Sequence, residues 1–269
     1  PLRRVAAAQQ VSWCALEVEL AAGPKAVSPA PDDGWGSRPP PPLTVAAVKV
    51  TAAAAPAGGK SAGGANEILA LSVVHLRDSV PCDRPLSRAA WSPPSPSSGP
   101  SSLSTLRSFT ILRRVEPGKP FPPGLDAAVA RANAAAAAAA AQQRRRGGAG
   151  AAAPADDEAD GPALSALPTE KALLSAALAR LRALDADVLL GHNAAAFDLE
   201  LVLHRALQLG VPQWSRLGRL RRTKPPRASS GGSAGGGGSG GPGGGGASPQ
   251  LVTALAGRLL CDTYLSSRE

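Results

Sequence analysis

Apolar positions along this chain fall into a few short periodic blocks, separated by stretches with no period at all. "PLTVAAVKVTA" (42–52) has the β-branched content of a strand, "NEILALSVVHL" (66–76) reads as a second and more buried one, and "RSFTILRRV" (107–115) as a third. "PTEKALLSAALARLRAL" (168–184) changes to a helical period. Leu173, Leu174, Ala177, Leu178 and Leu181 form one stripe there, Thr169 is the expected N-cap, and Glu170 suits the positive end of the helix dipole. "DVLLG" (187–191) is a short buried strand, and "FDLELVLHRALQL" (197–209) a second amphipathic helix stopped by Gly210 and Pro212. "GRLLCDTYL" (257–265) begins a last strand. Three strands, then helix, strand, helix and strand predict an α/β fold: a ribonuclease H-like mixed sheet with flanking helices.

Long inserts interrupt that pattern. Residues 92–104 are Pro/Ser-rich, 127–161 join an alanine run to "QQRRRGGAGAAAPADDEADG", and 225–249 are almost all Gly, Ser and Pro. None holds enough apolar surface to offset the entropy of ordering, so loops or disorder are expected. The alanine run is the exception, since alanine has the best helix propensity and a short solvated helix is compatible with it.

Composition sharpens this reading. Gly and Pro make up about a fifth of the 269 residues and aromatics only 3%, values that go with a partly unfolded chain. The formal charge is +9, which suits an acidic partner such as nucleic acid, although arginine-rich inserts raise the charge without making a site. Cys14, Cys82 and Cys261 form no CxxC pair, so neither a zinc site nor a disulfide framework is expected, and a reducing compartment fits. No apolar run reaches membrane-spanning length, so no membrane partner is expected. The chain starts on Pro1 and stops at Glu269 inside a helix-like pattern, as a piece of a longer protein would.

The candidate chemistry centres on Asp198, a lone acid just past a buried strand and at the head of a helix. A two-metal nuclease keeps a carboxylate there, but it needs about four acids to hold two ions about 4 Å apart. Its first strand should carry Asp-x-Glu. Here no acid lies between Thr44 and Ala65, and Lys49 stands on that strand, a cation that would repel Mg²⁺. Glu200, two residues beyond Asp198, faces elsewhere on the helix. No metal ligand set is therefore expected in this segment, and Asp198 is expected as a remnant or as a dipole-favoured helix acid. His192 and His204 are not spaced as a ligand pair. Asn193 is expected to tie the strand-to-helix turn through its side chain, and Phe197 and Trp214 to pack into the core. A basic run, Arg216, Arg219, Arg221, Arg222, Lys224 and Arg227, can reach phosphates without sequence preference, or can form a solvated loop.

"GHNAAAFDLELVLHR" resembles the second exonuclease motif of the family B DNA polymerases, and "VPQWSRLGRLRR" resembles the stretch that marks the alpha branch of that family. The resemblance covers roughly half the chain and is continuous over 169–222; it is weaker in "QQVSWCALEVEL" and "PPPLTVAAVKV" and absent from the inserts. It implies an edge of an N-terminal domain at 1–41 and an exonuclease-like domain at 42–269. The alpha branch lacks the first-strand Asp-x-Glu, in agreement with the residues themselves. The implied parent is a nuclear, template-directed DNA polymerase that uses Mg²⁺. It would extend RNA–DNA primers on DNA, with primase and accessory subunits as partners, and this segment would be an inactivated 3'–5' exonuclease-like scaffold. Two other readings compete: an active proofreading exonuclease of another family B polymerase, and a basic nuclear protein with a degenerate nuclease-like module.

Overall fold

The computed structural model describes residues 2–14, 16–21, 23, 39–53, 66–81, 106–115, 119–146, 161–226 and 247–267. Segment 92–104, residues 147–160 and residues 227–246 lie outside them, as does Cys82.

Two short strands open the chain, β1 (Leu2–Arg4) and β2 (Val18–Leu20), paired antiparallel. The main sheet is built from β3 (Leu43–Ala53), β4 (Glu67–Val80), β5 (Arg107–Arg113), β6 (Leu164–Leu167), β7 (Val188–Gly191) and β8 (Leu259–Asp262). The spatial order is β6-β5-β4-β3-β7-β8. Pairings β3/β4 and β4/β5 are antiparallel, whereas β5/β6, β3/β7 and β7/β8 are parallel. The sheet is thus mixed and helix-flanked, the ribonuclease H-like arrangement expected from the element order. β3 lies near its middle because Thr44, Ala46, Val48 and Val50 alternate into the interior.

Helix α2 (Glu170–Leu184) covers one face. Its N-cap is Thr169, whose hydroxyl accepts the Ala172 N–H at 3.2 Å, and all five residues of the predicted stripe are buried. They pack with Ile68, Leu71, Phe109 and Ile111 of the sheet and with Val202, Leu203 and Ala206 of α3 (Leu199–Gln208) in one core. Glu170 does more than answer the dipole. Buried at the helix start, it accepts the Ile68 N–H at 2.9 Å and is gripped by both Nε and Nη2 of the buried Arg205 on α3. The pair locks α2, α3 and β4 together, and its carboxylate raises the Arg205 guanidinium pKa above its ordinary value. Losing either partner would strand a buried charge, a change that costs about 3–5 kcal/mol.

The alanine run of the insert at 127–161, set apart above as compatible with a short helix, forms the longer helix α1 (Leu125–Arg146). Helix propensity wins there, helped by Asn133, which donates to the Leu164 carbonyl at 2.9 Å and accepts the Leu164 N–H at 2.8 Å, so that the helix is pinned to the start of β6. One expectation needs correction: the last strand stops early, at Asp262, where the short helix α5 (Thr263–Ser266) begins. Among the described residues no helix is long and apolar enough to cross a membrane.

Candidate functional site

Strand β7 ends at Gly191, pressed against its neighbours. A Cβ there would lie 2.8 Å from Ala194 Cβ and 3.0 Å from the Val48 carbonyl oxygen, so only glycine lets the chain turn this close to β3. Asn193 then adopts the left-handed conformation, φ 57°, and a single π-helical turn, Ala194–Asp198, leads into α3. Such turns add a residue to the helical repeat and re-aim side chains. Here the turn sets Asp198 over β3, fully buried.

Both oxygens of Asp198 are used. Oδ1 accepts the Val50 N–H at 2.9 Å, and Oδ2 lies 3.1 Å from Lys49 Nζ. The strand position that faces this acid is therefore held by an ammonium group. Lys49 keeps a side chain that is 65% exposed while its tip reaches a carboxylate with no exposure. It also passes 5.9 Å from the centre of the Phe197 ring. A divalent ion at Asp198 would meet this cation at contact distance, so the residues do not fit a metal. Among the described residues no group of three or more His, Cys, Asp or Glu is gathered as a metal would require. Glu200 is engaged elsewhere, accepting the Ser248 hydroxyl at 2.7 Å.

Asp262 is a second buried acid at this turn, and helical and strand periodicity gave no reason to single it out. It accepts the N–H groups of Asn193 at 2.8 Å, Ala195 at 2.9 Å and Tyr264 at 3.0 Å, which ties β8 to the π-turn and caps α5. The available signal was an acid closing an apolar strand just before Thr-Tyr, an N-cap pattern. Asn193 thus ties the turn through its backbone, not its side chain, which makes no capping bond. Phe197 is 37% exposed and does not enter the core, because the π-turn carries it outward as Asp198 turns in. Trp214 is buried as expected. His192 sits at the end of β7, with Nδ1 3.4 Å from the Thr263 hydroxyl and an edge-to-face contact to Tyr264.

Among the described residues the basic run does not form one patch. Arg219 is drawn into ion pairs with Asp185 at 2.8 Å and Asp187 at 2.7 Å. Burial opposes its charge, but these carboxylates outweigh that and raise its pKa. Arg258, buried beside the same acids, is pushed down to about 10 by desolvation. Arg216 and Arg221 approach the ring of Trp13, with guanidinium carbons 5.4 and 4.7 Å from its centre. Arg221 also donates to the Ala7 carbonyl at 3.0 Å. Arg222 is half-buried, Lys224 is exposed, and Arg227 lies outside the described residues. Cys14 and Cys261 are free thiols.

A mixed six-stranded sheet with an acid-bearing turn between a buried strand and a helix is the framework of an exonuclease domain, and residues 151–269 match the family model described as DNA polymerase family B, exonuclease domain. Over this segment the chain is similar to the exonuclease domain of the family B DNA polymerases. The chain is also similar to the DNA polymerase alpha catalytic subunit of Oryza sativa subsp. japonica, 36% identical over 166 residues that make up 61% of this chain and 9% of the relative. The Arabidopsis thaliana subunit is 39% identical over 103 residues, 38% of this chain and 6% of its own length. The Mus musculus subunit is 37% identical over 101 residues, again 38% of this chain and 6% of the relative. The chain therefore spans less than a tenth of the length of these relatives.

Proposed function

We propose that this chain is the exonuclease-like part of a replicative DNA polymerase of the alpha type, with the nuclease centre converted into an internal ion pair. The observation that carries this reading is Lys49 Nζ at 3.1 Å from the buried Asp198 carboxylate. In a two-metal nuclease, one ion prepares the attacking water and the other stabilises the leaving oxygen. Here the ammonium neutralises the acid without offering a coordination site for water or phosphate. The pair holds β3 to the π-turn and leaves the shape of the domain intact. The work of the domain is then positional: it is a scaffold of residues 42–269 beside the DNA, following an N-terminal domain edge at 1–41. Lys224 and the residues around Arg216–Arg227 are its candidate phosphate contacts. The whole parent protein would be nuclear and would add deoxynucleotides to RNA–DNA primers. It would use Mg²⁺ held by residues outside this chain, with primase and accessory subunits as partners.

The test is a nuclease assay. The purified chain, given Mg²⁺ or Mn²⁺ and a single-stranded 3' end, should release no nucleotides above background. Digestion that disappears in Asp198→Ala would overturn the reading and favour an active proofreading exonuclease instead.

A further inference from the structure

The N-terminal segment is fastened to the main sheet domain by its backbone. Trp13 N–H donates to the Arg219 carbonyl at 2.7 Å, and Arg221 N–H to the Val11 carbonyl at 2.8 Å. Between this segment, the start of β3, the end of β4 and the end of α2 lies a cleft of about 890 Å³. Thr44 lines it, whereas Lys49, which holds Asp198, lies five residues further along β3, about 16 Å away at strand rise, so the cleft is separate from the exonuclease-like turn.

Its walls are basic. Arg4, Arg77, Arg182 and Arg221 line it together with Trp13. The guanidinium carbons of Arg182, Arg216 and Arg221 stand 5.2, 5.4 and 4.7 Å from the centre of the Trp13 ring. An indole face attracts guanidinium groups, so one ring gathers three like charges that would otherwise separate. Among the described residues, neither Arg182 nor Arg221 forms an ion pair with a carboxylate. Asp185 and Asp187 line the cleft but are taken up by Arg219, with Arg258 3.6 Å from Asp185. Asp78 remains and accepts the Thr44 hydroxyl at 3.1 Å, while Glu17, whose charge also interacts with Arg221, accepts the Val11 and Ser12 N–H groups. The buried indole N–H of Trp13 and the buried Nε of Arg221 find no acceptor among the described residues. Unpaired buried donors beside surplus positive charge call for a ligand with several anionic acceptor oxygens.

We propose that this cleft binds the phosphates of a nucleotide, supplied either by a free nucleoside triphosphate or by a single nucleic-acid strand. Its volume falls in the range of small-ligand sites, and a guanidinium fan is the arrangement that phosphate recognition uses. The choice of a nucleotide among phosphate-bearing ligands rests on the polymerase reading; the presence of an anion site does not.

The test is calorimetric titration of the full chain with metal-free ATP and with a 5'-phosphorylated oligothymidylate, far-UV circular dichroism confirming the fold of each variant. Saturable binding is expected. Arg182→Ala and Arg4→Glu should each weaken it about tenfold, as for loss of a charge-assisted contact. Trp13→Phe keeps an aromatic face, though a smaller one, removes the N–H and should weaken it severalfold. If the oligonucleotide displaces ATP, the two share the cleft and the strand is an occupant. ATP binding without displacement assigns the cleft to the free nucleotide. Absence of binding by both probes, or affinities unchanged in Arg182→Ala and Arg4→Glu, overturns the proposal. The nuclease assay on the same samples reports separately on the Asp198 reading.

Discussion

Breaking the Lys49–Asp198 pair gives a measurable test of the idea that an ammonium has taken over this site. At 3.1 Å and an effective dielectric of about 20, the gross attraction is about 5 kcal/mol. Much of it is offset, because Asp198 is stripped of water and Lys49 gives up part of its hydration. A pair buried at both ends loses about 3–5 kcal/mol when one partner goes, and an exposed pair about 0–1 kcal/mol. With one end at 0% and the other at 65% exposure this pair falls between, at about 2 kcal/mol. The clean measurement is a double-mutant cycle of Lys49→Met, Asp198→Asn and both together, each followed by urea unfolding. Asn keeps an acceptor oxygen for the Val50 N–H and removes the charge. Lys49→Met alone should lower the urea midpoint by about 1 M, taking a slope of about 2 kcal/mol/M. The double variant should recover most of the loss, because no buried charge is then left unpaired. A coupling energy below about 0.5 kcal/mol would refute the reasoning, since the ammonium would then be a solvated neighbour and not a substitute for a bound cation.

Two further outcomes follow from the packing and the charges. Gly218 has an ordinary negative φ of −104°, but a Cβ on it would run into the Ala254 carbonyl and lie 2.9 Å from that of Ala256, so Gly218→Ala should cost about 1–3 kcal/mol and lower Tm by about 5 °C in calorimetry; an unchanged Tm would mean that the α4 (Pro249–Ala254) loop gives way freely. Burial alone would raise the Asp187 pKa, yet the Thr44 N–H and Arg219 outweigh it and hold the carboxyl below its usual 3.8. Its contribution to stability is therefore fully present above pH 3.8 and lost as the pH falls below that value, so the stability gap between wild type and Asp187→Asn should be flat near neutrality and narrow in acid, and a gap independent of pH would contradict the assignment.

Local pattern alone determined much of this protein. Alternating β-branched residues placed β3, β4 and β5, and the Leu173–Leu181 stripe with Thr169 before it placed α2, because strand and helix periods and caps are short-range properties of the chain. The missing acids of β3 were legible for the same reason: a residue type is either present or not. Contacts between residues far apart in the chain were decided only by the tertiary structure. Lys49 and Asp198 are 149 residues apart, and sequence could say that one would repel a metal, not that it would bond to the other. Asp262 looked like an ordinary strand end until the parallel pairing of β7 with β8 brought it to the N–H groups of Asn193 and Ala195. Arg219 belonged to a basic run by composition, but the fold carried it to Asp185 and Asp187 and left its neighbour Arg221 on Trp13. Phe197 was misplaced because a π-turn shifts the side-chain register by one residue, and local propensity does not encode that insertion. Which charges cancel and which stay free is set by distances across the fold, and those distances exist only once the sheet has closed.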